Sequence, residues 1–139
     1  MGIVVESLDK TIPFFQEIGL KLEGRMMVEG AWAGHITGLG DQRVEIAMMG
    51  TPDGHSRLEL SQFFRPAIVS DHRKAEVNAL GYLRAMFAVE DIDELVKRLI
   101  EKHGAQLEGE IVRYENSYRL CYLRAADGLL IGLAQQLFV

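Results

Sequence analysis

Five residues near the start of the chain, Val5-Glu6-Ser7-Leu8-Asp9, return 84 positions later as Val89-Glu90-Asp91-Ile92-Asp93. Leu22-Glu23-Gly24 returns as Leu107-Glu108-Gly109, and Gly19 as Gly104, at an offset of 85. The change in offset puts one extra residue inside the second copy's helix. A period this long, used twice, is not a solenoid, which stacks several shorter units. The chain is one supersecondary unit written twice.

The unit can be read from its periodicities. Residues 2–5 and 82–89 are short apolar runs and read as buried strands. Ser7 and Asp91 follow as N-caps, with Glu94 completing a capping-box pattern after Asp91. Ile92, Leu95, Val96, Leu99 and Ile100 then recur at helical spacing, as do Leu8, Ile12, Phe15 and Ile18. Gly104 and Gly19 are the stop signals. Pro13 removes a backbone donor, which predicts a shorter or bent first helix. Three strands follow each helix, at 21–28, 43–49 and 57–63, then at 110–115, 118–124 and 129–137. Turn residues stand before the last strand of each copy, Thr51-Pro52-Asp53-Gly54 and Ala126-Asp127-Gly128. The segment 30–40, with Trp32 and His35, is extra in copy one. The predicted class is α+β, with two βαβββ modules at 1–64 and 81–139 joined by a polar linker at 65–80.

Composition limits the partners. The formal net charge of −5 argues against a nucleic-acid backbone as ligand, since such binders carry a basic footprint. No apolar run approaches the roughly 20 residues of a membrane span, and no signal-peptide pattern is visible at the N-terminus. The single cysteine, Cys121, cannot form an internal disulfide, and a cytoplasmic location is expected. It reads as a buried small hydrophobe in mid-strand. No P-loop, dinucleotide fingerprint or Ser-His-Asp pattern is present.

Paired βαβββ modules resemble the vicinal oxygen chelate superfamily, the group of glyoxalase I, bleomycin-resistance proteins and extradiol dioxygenases. The strings that carry the resemblance are Gly2-Ile3-Val4-Val5-Glu6-Ser7-Leu8-Asp9, Phe87-Ala88-Val89-Glu90-Asp91-Ile92-Asp93 and Arg124-Ala125-Ala126-Asp127-Gly128. Together they span nearly the whole chain. The resemblance implies two cupped mixed sheets around one pocket. In the metal-dependent members, ligands come from the first and last strands of each module.

Tested position by position, the resemblance puts Arg84, in Gly81-Tyr82-Leu83-Arg84, where the second module usually supplies a histidine. A guanidinium donates and does not ligate a cation. The first-module equivalent falls one residue before Met1. Glu59, in Leu58-Glu59-Leu60, matches a carboxylate ligand. Gly132, in Ile131-Gly132-Leu133, stands where another carboxylate is expected. Glu59 is the one surviving candidate metal ligand, and no cofactor is expected; a bound divalent metal is the alternative.

Two functions follow. One is a metal-free protein that binds a small organic ligand, anionic or aromatic. Arg84 would hold the anion by bidentate hydrogen bonds, and Gly132 would leave it room. The other is an enzyme, a lyase, isomerase or dioxygenase, either metal-dependent or using Glu59 as general base beside a carbonyl. Glu59 and Arg84 can equally be a structural ion pair. Trp32, Tyr114, Tyr118 and Tyr122 are candidates for an aromatic wall, with core or interface packing as the competing role. His35 could line a pocket mouth. His55, His72 and His103 read as turn, linker and helix-end residues. Met26, Met27, Met48, Met49 and Met86 could line an adaptable apolar pocket, with core the favoured role. Open sheet edges predict a homodimer.

Overall fold

The computed structural model describes residues 1–138 and divides the chain into two compact units, Met1–Ser70 and Asp71–Val139. The division falls inside the polar stretch at 65–80.

The first unit runs β1 (Gly2–Val4), α1 (Leu8–Ile18), β2 (Lys21–Gly30), α2 (Ala31–Thr37), β3 (Gln42–Gly50) and β4 (Arg57–Arg65). Its sheet has the order β1-β4-β3-β2, with β1 parallel to β4 and the other pairs antiparallel. Ser7 caps α1, its side-chain oxygen accepting from the Lys10 N–H at 3.3 Å. The helix continues through Pro13 for 11 residues, against 12 in its counterpart, so the proline shortens it very little. It buries Leu8, Ile12, Phe14 and Phe15 on one side. Strand alternation supplies the other half of this core, with Ala47, Met49, Leu58 and Leu60 all buried.

The second unit runs β5 (Ala85–Val89), α3 (Ile92–His103), β6 (Gln106–Leu107), β7 (Val112–Tyr114), β8 (Tyr118–Arg124) and β9 (Leu130–Gln136). The order is β5-β9-β8-β6, with β7 also paired to β8 and β5 parallel to β9. The expected strand at 110–115 is the three-residue β7, and β6, which the sequence reading did not expect, is a second short strand along the same neighbour. Gly109, which has no side chain to pack, lies in the gap between them. Asp91 caps α3 by accepting from the Glu94 N–H at 3.2 Å, and Gly104 ends it in the left-handed conformation at φ 67°. Leu95, Val96 and Leu99 of α3 are buried, as are Cys121, Leu123, Ile131 and Leu133 of the sheet.

Two ion-pair arrangements tie the helix starts to their sheets. Arg25 on β2 bridges Asp9 at 3.0 Å and Glu45 at 2.9 Å. In the second unit Arg119 on β8 pairs directly with Asp93, whose carboxyl is held below the usual range by that guanidinium. Arg124 closes the far end of β8. It bonds Glu108 at 2.9 Å and donates to the carbonyls of Arg73, Gly128 and Ala75. The Tyr82 hydroxyl also donates to the Arg73 carbonyl, at 2.9 Å. The segment from Asp71 is thus fastened to the second sheet. Among the described residues no helix is long and apolar enough to cross a membrane.

Candidate functional site

In the second unit, the residues facing α3 along β8 and β9 are Cys121, Leu123, Ile131 and Leu133, all buried. Their neighbours Tyr122 and Gly132 therefore face the opposite, helix-distal side. Gly132 lies between Met86 on β5 and Tyr122 on β8 in the strand register. Arg84 precedes Met86 by two positions, and its guanidinium carbon lies 4.5 Å from the centroid of the Tyr122 ring. Within this unit, among the described residues, no carboxylate or carbonyl accepts a hydrogen bond from Arg84. That distance is within the range of a cation–π contact.

Gly132 makes this arrangement possible. A Cβ there would overlap the Met86 sulfur, come within 2.6 Å of its methyl carbon and 3.3 Å of Tyr122 Cδ1. The Met86 thioether rests directly on the glycine. Sequence reasoning named Met86 as possible pocket lining but favoured core, because it is a methionine within an apolar run. It is 49% exposed, and Met26 and Met27 are 63% and 42% exposed, whereas Met49 is fully buried. The difference is position: Met26 and Met27 lie on edge strand β2, and Met86 lies on the helix-distal face. The signal that could have found it is its place two residues after Arg84.

The registers also locate Glu59. It pairs with Gly2 on β1 and Met48 on β3, just as Gly132 pairs with Met86 and Tyr122. Glu59 and Gly132 are thus the same position of the repeated unit, a carboxylate in one copy and no side chain in the other. Glu59 is half-buried, and its Oε1 accepts from the Ser61 hydroxyl at 3.3 Å. Leu58 and Leu60 turn the other way into the core. Among the described residues no three His, Cys, Asp or Glu side chains gather as a metal would need.

The remaining candidates Trp32, His35 and Tyr114 lie on other elements. Trp32 and His35 belong to the first unit, on the seven-residue helix α2, and both are exposed. The Trp32 indole N–H donates to the Glu29 carbonyl at 3.0 Å. Helix α2 exists because Gly34 lets the chain close on itself, since a Cβ there would collide with the Gly40 carbonyl. Tyr114 pairs with Tyr118 at the tip of the β7–β8 hairpin. Tyr118 precedes Tyr122 by four residues along β8, roughly 13 Å at strand spacing. The structure gathers Arg84, Tyr122, Gly132 and Met86, and leaves Tyr114 outside. Cys121 adjoins Tyr122 in sequence but points into the core at 4% exposure, and burial pushes its thiol pKa up.

The model of the Glyoxalase/Bleomycin resistance protein/Dioxygenase superfamily matches residues 1–122. The chain belongs to that superfamily. A crystal structure of a glyoxalase family protein from Bacillus cereus is 69% identical, covering 99% of this chain and 92% of that one, with a TM-score of 0.96. A glyoxalase I mutant from Zea mays is 19% identical with a TM-score of 0.68, covering 99% of this chain and 44% of that one. The fosfomycin resistance protein FosX from Listeria monocytogenes is 14% identical with a TM-score of 0.59, covering 99% of this chain and 89% of that one. These last two share the superfamily fold. No curated protein matches the chain.

Proposed function

We propose that this superfamily member binds a small organic anion on the helix-distal face of its second sheet, without a divalent metal. The observation that carries the reading is Arg84, its guanidinium carbon 4.5 Å from the Tyr122 ring centroid and, among the described residues of its own unit, with no hydrogen-bond acceptor. A carboxylate in the guanidinium plane would gain two parallel charge-assisted hydrogen bonds. Tyr122 holds the guanidinium in one orientation, so less side-chain entropy is lost on binding. Gly132 contributes by leaving the space beside it free of a side chain.

The test is calorimetric titration with benzoate, alongside metal analysis after incubation with Zn, Ni, Fe, Mn and Co and desalting. The expected result is saturable benzoate binding, lost in Arg84→Ala, with no metal retained. About one metal per chain, or binding indifferent to Arg84→Ala, would overturn it.

A second reading rests on Glu59, a carboxylate on the helix-distal face of the first sheet with Ser61 as its hydrogen-bond donor. In this reading the chain is a lyase or isomerase in which Glu59 removes a proton beside a carbonyl. Solvent deuterium entering a carbonyl probe, abolished by Glu59→Gln, would favour it. The chain is read as a homodimer because β2, ten residues long, ends its sheet with one unpaired edge. A cytoplasmic site suits its single free thiol.

A further inference from the structure

We infer that Met86 is a displaceable plug that sets how large an apolar body the bound anion can carry. The inference rests on the anion-binding reading of Arg84 and deepens it. Met86 stands directly opposite Gly132, and its sulfur and methyl occupy the place where any other residue at 132 would put a Cβ. The contact to Tyr122 Cδ1 from that same point, 3.3 Å, puts the sulfur within about 5 Å of the ring, the range of sulfur–aromatic attraction. The thioether therefore fills the slot that Gly132 opens beside the aromatic wall. Arg84 holds the same ring at 4.5 Å.

The slot is filled by the one kind of side chain that can leave it at low cost. Methionine is unbranched, with three rotatable bonds beyond Cα, and adapts to irregular gaps. Met86 is 49% exposed, so it is not enclosed by the core around it. A bare carboxylate such as acetate reaches the guanidinium with the plug in place. A carboxylate on a flat apolar ring must replace the thioether on Gly132 and against Tyr122. The site thus takes planar oxyanions bearing an aromatic body, with Met86 giving way in proportion to ring size.

The experiment compares acetate, benzoate and biphenyl-4-carboxylate on the full chain by calorimetry, in wild type, Met86→Ala and Arg84→Ala. Methionine-methyl carbon-13 NMR on the wild type runs beside it. Met86→Ala is expected to tighten biphenyl-4-carboxylate about tenfold, the scale of a few buried carbons, and to leave acetate within about twofold. The Met86 methyl resonance, assigned by its loss in Met86→Ala, should move on adding benzoate. If Arg84→Ala abolishes benzoate binding but Met86→Ala leaves the three affinities in the same ratio, the plug is wrong and the anion site stands. If Arg84→Ala changes nothing, or the wild type binds none of the three, the anion site falls and the plug with it. Circular dichroism of each variant separates these outcomes from misfolding.

Discussion

The side-chain oxygen of Gln62, near the end of β4, accepts the backbone N–H of Leu8, the first residue of α1, at 2.8 Å. Gln135 does the same for Ile92 at the start of α3, at 2.9 Å. Each helix begins with N–H groups that have no partner inside the helix. In both units the last strand reaches across to satisfy one of them, fixing the helix start over the sheet edge.

Replacing Gln135 by Ala leaves the Ile92 N–H without its partner in a part-buried site. The expected cost is about 1 to 2 kcal/mol of folding stability, and Glu at 135 should restore most of it at neutral pH. Urea denaturation measures both. A midpoint unmoved by Gln135→Ala would show that water replaces the amide.

Tyr122→Phe keeps the ring beneath Arg84, whereas Tyr122→Leu removes it. Cation–π contacts of this kind are worth about 0.5 to 2 kcal/mol, so Leu should weaken benzoate binding roughly two- to thirtyfold and Phe hardly at all. Equal losses in the two variants would mean that the hydroxyl, not the ring, matters.

Arg124 holds the carbonyls of Arg73 and Ala75 from a side chain only 14% exposed. Arg124→Lys should not rescue it, because one compact ammonium cannot reproduce a fork spanning Glu108 and three carbonyls. Either Lys or Ala is expected to cost on the order of 2 to 3 kcal/mol. Hydrogen exchange would rise first in residues 71–82. Protection unchanged there would refute the fastening role.

The Cys121 thiol is raised by burial, and this fixes the sign of its pH effect. A pKa higher in the folded chain than in the unfolded one means stability is intact below the unfolded value, about 8.5, and falls as pH rises through the folded value. Wild type should therefore lose stability between pH 8 and the folded pKa more steeply than Cys121→Ala. Parallel curves would contradict the burial argument. Alkylation by iodoacetamide in native buffer should be slow for the same reason.

The legible part of this fold was the part with a period or a cap. Ser7, Asp91, Gly104 and the two turn strings mark boundaries because each does a local job that few residue types can do. Strand 118–124 was read to its ends. Helix α2 was not read as a helix, since a seven-residue stretch with Gly34 inside and Gly30 at its start carries no capping or amphipathic signal. It depends on the closure against Gly40. At the site, Arg84 and Gly132 were visible as departures from a familiar pattern, and Tyr122 as an aromatic with a polar tip. Met86 reads as core ahead of pocket lining, because a methionine in a strand looks alike on either face until the register says which side is covered.

The Gln62 and Gln135 pair also measures something else. Their spacing is 73, while the helix starts they serve are 84 apart, and the 11 residues between those figures match the length of segment 30–40. The strand pairing after the segment begins with a β-bulge between Arg43 and Val44 that the second unit lacks, and runs regularly from there. The second unit shows what the first becomes without it, a tight hairpin from Tyr114 to Tyr118 turning through Glu115 at φ 51°. Segment 30–40 is thus an addition to the repeated unit that the first unit has built into its core, since Ala33 is buried and the Thr37 hydroxyl donates to the buried Gln42 side chain at 2.7 Å.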